Sequence, residues 1–289
     1  MSSYKFDGKG GQGCPENTHI VPLPDAFRGM YRGDNTGSKY AQHIQQIITD
    51  LKEKNKGIAA FIAESIVSCG GQIDLPNGYL AEAYKYVREA GGVCIADEVQ
   101  VGFGRVGKTF WGFQLHDVLP DIVTLGKPMG NGHPLAGVVC TRAIAQAFAN
   151  GMEFFNTFGG NPVSCAIGRS VLNVIKKNKL QENALEIGNY LKRRLRELQT
   201  SFPLIIGDVR GEGLFLGVEL VNENKVALSN ETNYLSNRMK DFKILMSVDG
   251  PEHNVLKIKP PMCFTKENAD YMLDVMGRVL EEIQLKIKS

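Results

Sequence analysis

Glu64, the pair Asp97-Glu98, and Lys127 are the residues placed where chemistry is possible. Each lies at or near the end of a short apolar run, over 58–64, 93–99 and 121–127. One acid at such a place is commonly a helix cap or a surface charge. Three reactive run ends point further, because ligands of open parallel α/β sheets gather at the carboxyl ends of the strands. A lysine amine condenses with an aldehyde to a Schiff base, and a carboxylate keeps a pyridine nitrogen protonated. Pyridoxal phosphate requires these two groups of its protein, and its protonated ring can then accept the electrons of a substrate carbanion.

Two glycine-rich stretches suggest other chemistry. Gly102-Phe103-Gly104-Arg105-Val106-Gly107 matches the dinucleotide pattern G-x-G-x-x-G and follows a strand candidate. The residues after it, Lys108-Thr109-Phe110-Trp111-Gly112, do not begin a helix of the required kind, so a nicotinamide enzyme is disfavoured. Gly126-Lys127-Pro128-Met129-Gly130-Asn131-Gly132 lacks the G-x-x-x-x-G-K-[ST] order of a nucleoside-triphosphate loop.

The elements that would position these residues follow from hydropathy. Residues 1–40 are rich in Gly, Pro and polar groups and read as loop, with one extended candidate at 19–23. From there the apolar runs 58–64, 93–99, 121–127 and 134–141 alternate with helical patterns, the clearest at 79–90. Continuous rather than alternating hydrophobicity implies strands covered on both faces, hence a mainly parallel sheet flanked by helices. Helical patterns follow at 163–176 and 181–201, then strand candidates at 214–221, alternating as if half-exposed, and at 255–259, with helices near 232–242 and 266–287. The reading is an α/β large domain over 1–180 and a small C-terminal α+β domain over 181–289, the boundary falling within 180–205.

Composition narrows the function class. The 289 residues are 43% apolar and 22% charged, with 33 basic and 31 acidic residues and a formal charge of +2. That balance offers no basic stripe to a nucleic acid or an anionic membrane and favours a small-molecule substrate. No apolar stretch reaches the ~18 residues of a membrane span, and the N-terminus lacks a signal-peptide pattern. The six cysteines have no metal-ligand spacing and read as free thiols, so no metal is expected. A cytoplasmic or mitochondrial-matrix location is expected, and the triplet Asn230-Glu231-Thr232 reads as a chance match to a glycosylation site.

The ordered motifs resemble the class III, fold-type-I pyridoxal-phosphate aminotransferases. The resemblance rests on 96–105 (Ala-Asp-Glu-Val-Gln-Val-Gly-Phe-Gly-Arg), on Lys127 thirty residues after Asp97, on 155–162 (Phe-Asn-Thr-Phe-Gly-Gly-Asn-Pro) and on 209–214 (Val-Arg-Gly-Glu-Gly-Leu). It implies a fold-type-I large domain and pyridoxal 5'-phosphate as cofactor. Lys127 would be the Schiff-base lysine and proton shuttle, and Asp97 the partner of the ring nitrogen. Val99 would lie on the ring face, Gln100 at the ring hydroxyl, and Thr157 at the cofactor phosphate of a neighbouring subunit. A site shared in this way implies a homodimer or homotetramer.

Within that family, 63–65, 68–73, 130–134 and 257–264 look most like the phospho-lyase branch, which acts on phosphoethanolamine or 5-phosphohydroxylysine and releases phosphate, ammonia and an aldehyde. Many transaminases of the class carry Arg where Lys257 stands, a planar fork for the substrate carboxylate. A lysine offers a flexible point charge better suited to phosphate. Lys257 and Glu64 are therefore the tentative substrate contacts. An aminotransferase of the omega-amino-acid or alanine–glyoxylate type shares every one of these residues and stands as the alternative.

Measured against the family, the chain begins inside the large domain and lacks the N-terminal segment that supplies a phosphate-binding turn, a ring-stacking aromatic residue and two strands of the central sheet. Its absence predicts unpaired strand edges, exposed apolar faces and weak activity of this polypeptide alone. A catalytically weak interaction subunit is a further reading of the same feature.

Overall fold

The computed structural model describes Phe6 and residues 8–288. Helix α1 (Gly37–Glu53) buries Tyr40, Ala41, Ile44, Ile48 and Leu51 on one stripe. Its partner α2 (Tyr79–Glu89) buries Tyr79, Leu80, Ala83, Tyr84 and Val87. The two stripes meet in one core cluster that also holds Leu75 and Cys94. Helix α2 ends where Gly91 turns into the left-handed region at φ +85°, a conformation that costs glycine little.

Strand β1 (Ala60–Glu64) runs into a two-stranded hairpin of β2 (Ile66–Val67) and β3 (Ile73–Asp74). After α2 come β4 (Val93–Asp97), β5 (Ile122–Leu125) and β6 (Gly137–Cys140). The sheet order is β1-β4-β5-β6. The β1–β4 and β4–β5 pairs are parallel and β5–β6 is antiparallel. The mainly parallel sheet is thus present, with β6 reversed at one edge. Residues 19–23 pair with no strand and belong to an irregular segment.

Five helices and a second sheet complete the chain. Helices α3 (Arg142–Phe148), α4 (Pro162–Lys177) and α5 (Leu180–Ser201) precede strands β7 (Ile206–Glu212) and β8 (Phe215–Leu220). Helix α6 (Ser229–Asp241), strands β9 (Ser247–Asp249) and β10 (Val255–Ile258) and helix α7 (Lys266–Lys288) follow. The sheet is antiparallel in the order β7-β8-β10-β9. Every residue of β8 is buried, against the half-exposed strand expected from its alternation. Helices α5, α6 and α7 supply the core on one side, through Leu191, Leu195, Leu235, Met276 and Leu280. On the other side a Cβ at Gly217 would meet Gln72 Cβ at 3.0 Å, so the 68–72 turn covers the strand there. The triplet 230–232 lies in the first turn of α6 with Thr232 fully buried.

Among the described residues no helix is long and apolar enough to cross a membrane. All six cysteines are free. Strand β1 stands at a sheet edge with Ile62 exposed, and a groove of about 1350 Å³ beside it is lined by Ile44, Leu51, Ala60 and Ile62 among others. At the opposite edge Val138 and Val139 of β6 are exposed, followed by exposed Phe148, Met152, Phe154, Phe155 and Phe158.

Candidate active site

The parallel register brings the strand ends together. Glu64 pairs with Asp97, and Asp97 with Thr124, so three side chains from adjacent strands form one row at the carboxyl end of the sheet. Neighbouring strands lie roughly 5 Å apart, which makes Glu64 and Asp97 close electrostatic neighbours. Burial pushes the Glu64 carboxyl up from its ordinary range; hydrogen bonds from Ser68 and the charge of Lys127 oppose the rise, and Asp97 adds to it. The Ser68 amide donates to Glu64 Oε2 at 2.9 Å, and the Ser68 hydroxyl donates to Oε1. Asp97 Oδ1 accepts the Val99 amide at 3.0 Å, which fixes the turn out of β4.

Lys127 follows β5 after Gly126 and opens a short 3-10 turn, Lys127–Met129. Its φ of +30° is unusual for a residue with a side chain, and such strain concentrates at functional positions. Lys127 is exposed and makes no side-chain hydrogen bond or ion pair among the described residues. Both methyls of Val99 lie 3.5 Å from where a Gly126 Cβ would stand, so Val99 packs beside the turn that carries Lys127. His133 Nε2 lies 2.7 Å from Ser164 Oγ and ties the loop after Lys127 to the start of α4.

Glu98 takes another role. It is fully buried, accepts from Ser65 Oγ at 2.7 Å, and receives the amides of Gly112 and Phe113 at 2.7 and 2.9 Å. Burial raises its pKa against those three donors. It is the anchor of the 112–113 turn.

Two residues that sequence reasoning did not single out, Lys259 and Asp249, adjoin the site. Lys259 donates to Gln100 Oε1 and lies over the Phe215 ring at 5.5 Å. Burial, then the positive charges of Arg105, Lys257 and Lys127, lower its pKa to about 7, with Glu64 pulling the other way. Asp249 pairs with Lys257 at 2.9 Å and also accepts Gln72 Nε2 at 2.8 Å. A signal for Lys259 was present, since residues two apart on a strand share a face and Lys257 was already a candidate. Arg210 holds the 68–72 turn by donating to Gly71 O at 2.9 and 2.7 Å, and it pairs with Asp208 and Glu219. Thr157 lies in an exposed segment turned by Asn156, whose Oδ1 accepts the Phe158 and Gly159 amides at 3.0 and 2.7 Å. It makes no hydrogen bond to the Lys127 row among the described residues.

The donor set fits pyridoxal phosphate. It offers an unpaired primary amine, a carboxylate in the neighbouring strand-end row, an apolar side chain beside the amine, and the buried Thr124 hydroxyl, which lacks a partner.

Comparison with known proteins agrees. The family model described as aminotransferase class III matches residues 8–280. The chain is 51% identical over 282 residues to a Drosophila melanogaster protein named alanine–glyoxylate aminotransferase 2-like, covering 94% of this chain and 57% of that protein. It is 40% identical over 296 residues to ethanolamine-phosphate phospho-lyase homolog 1 of Caenorhabditis elegans, covering 97% and 63%. Among solved structures, a phospholyase from Arthrobacter in complex with phosphoethanolamine superposes with a TM-score of 0.88 at 34% identity, covering 95% of this chain and 66% of that one. The chain thus spans less than two thirds of the length of these relatives. With a match along nearly its whole length and strand-end residues suited to the same cofactor, the chain belongs to the class III aminotransferase family of pyridoxal-phosphate-dependent enzymes.

Proposed function

We propose that this chain forms the catalytic part of a phospho-lyase that removes phosphate and ammonia from a phosphorylated amine, phosphoethanolamine or 5-phosphohydroxylysine, leaving an aldehyde. The observation that carries the reading is the kind of cation beside Lys127. The arginines nearby are committed to the protein itself, Arg105 to the carbonyls of Leu214 and Pro260 and Arg210 to that of Gly71. Lys257 and Lys259 supply point charges suited to phosphate. Similarity to the Arthrobacter phospholyase supports the same choice.

In this reading residues 1–180 form the cofactor-binding part and 181–289 the smaller domain. Lys127 would hold the cofactor through its amine, Asp97 would keep the pyridine nitrogen protonated, Val99 would pack beside the ring and Gln100 would meet the ring hydroxyl. The bound cofactor would stabilise negative charge on the substrate carbon next to nitrogen. The Lys127 amine would serve as general base toward the proton on that carbon. Glu64 holds the 68–72 turn through Ser68, and the lysines orient the phosphate that leaves. A second copy of the chain covers exposed Phe148, Phe154, Phe155 and Phe158 and brings its Thr157 to the cofactor phosphate.

The transaminase reading is favoured by the 51% identity to the Drosophila protein. The test is to incubate the chain with pyridoxal phosphate, reduce with borohydride and map the adduct, with Lys127→Ala as control, then to assay phosphate release from phosphoethanolamine. An adduct on Lys127 together with phosphate release supports the proposal. Amino transfer without phosphate release would replace it with the transaminase, and an adduct on another lysine would remove the catalytic assignment.

A further inference from the structure

We infer that Lys259, more than Lys257, is the side chain that selects substrates carrying a phosphate. The inference rests on the phospho-lyase reading of this site and names the residue responsible for its specificity.

The two lysines sit two residues apart, yet their surroundings differ. Lys257 already has a counter-charge, because Asp249 stands 2.9 Å from its ammonium and is itself held by Gln72. Lys259 has no carboxylate within ion-pair distance among the described residues. Its hydrogen-bond partner is the neutral Gln100 amide oxygen, and its other neighbour is the face of Phe215. The charges that act on it most strongly are Arg105, Lys257 and Lys127, all positive, opposed by Glu64, whose oxygens are taken by Ser68. A half-buried cation among cations is poorly compensated, and the protein supplies no anion to correct it. An incoming phosphate dianion supplies that anion. It would pair with the Lys259 ammonium as a charge-assisted hydrogen-bond partner. Gln100 links this lysine to the cofactor side of the site, which puts anion recognition next to Lys127.

The experiment compares wild type, Lys259→Met, Lys259→Arg and Lys257→Met as pyridoxal-phosphate-loaded protein, titrated with phosphoethanolamine and with ethanolamine while the cofactor absorbance is followed. Lys259→Met is expected to weaken phosphoethanolamine binding by roughly tenfold or more, as for loss of a partly desolvated charge pair, and to leave ethanolamine binding unchanged. Lys259→Arg should recover most of the selectivity, and Lys257→Met should lose less of it than Lys259→Met. A second measurement needs no cofactor: inorganic phosphate should shield Lys259 from reductive methylation read by peptide mass spectrometry. Equal selectivity in wild type and Lys259→Met, or methylation of Lys259 unaffected by saturating phosphate, overturns the inference. Selectivity and shielding that depend on Lys259 in a protein that releases no phosphate would overturn the lyase reading and leave the anion site standing.

Discussion

Glu64 and Asp97 are register partners at the ends of two parallel strands, so two carboxyl groups face the same end of the sheet side by side. Burial, with Asp97 adding to it, raises the Glu64 carboxyl above its ordinary range. A raised folded value means that its favourable contribution is complete below the unfolded value and is lost as pH rises through the folded one. Glu64→Gln keeps one acceptor and one donor for the Ser68 amide and hydroxyl. The variant should match wild type within about 1 kcal/mol at pH 4 and exceed it at pH 8. Urea unfolding at the two pH values checks this; a variant less stable than wild type at pH 8 would show that the ionised carboxylate is needed where it stands.

The glycines of 102–107 follow the dinucleotide pattern but serve packing. A Cβ on Gly107 would lie 2.6 Å from the Leu185 backbone in α5, at φ +74°. Gly91 has a similar φ, +85°, and open space around it. Gly107→Ala should therefore cost on the order of 3 kcal/mol, from strain and overpacking together, and Gly91→Ala about 1 kcal/mol, from strain alone. Thermal melts of the two variants decide the matter. Equal losses would mean that α5 can move away from the loop, and that the glycine at 107 is not there for close approach.

Much of the fold could be read because its signals are local. The apolar runs 58–64, 93–99 and 121–127 became β1, β4 and β5, and the helices at α2, α4, α5 and α7 followed their periodicity. Helix α1 escaped because its stripe from Tyr40 to Leu51 sits among glutamines and follows a loop-like entry, so only packing on α2 makes it conspicuous. Strand β7 escaped because Gly207, Gly211 and Gly213 read as a turn, whereas the close crossings there need glycine: a Cβ on Gly213 would meet the Val106 backbone at 2.5 Å. The role of Glu98 was hidden for a similar reason. Its partners Ser65, Gly112 and Phe113 are far from it in sequence, and only the fold collects three donors around one carboxylate.

That collection gives a prediction for Glu98→Ala. Removing the carboxylate leaves the Ser65 hydroxyl and two buried amides without an acceptor, and the amides belong to the turn that seats Phe113. The loss should be about 3 kcal/mol or more. Denaturant unfolding measures it. A loss under about 1 kcal/mol would mean that water replaces the carboxylate, and the anchoring role assigned to Glu98 would fall.

Lys259 makes a stability prediction independent of any ligand. Its folded pKa is lowered to about 7, by burial first and then by Arg105, Lys257 and Lys127, from an ordinary 10.5. Between those two values the unfolded chain holds the proton and the native protein does not, so stability rises with pH across the window. Below about pH 7 both states are protonated and the native state bears the full cost of a poorly compensated ammonium, on the order of a few kcal/mol. Lys259→Met removes that cost. Its stability should exceed wild type most at pH 6, and the gain should shrink steadily toward pH 10. Urea unfolding of both proteins at each pH unit from 6 to 10 follows the difference. A difference that stays flat with pH would mean that Lys259 remains protonated in the folded protein throughout and that its surroundings do not penalise the charge.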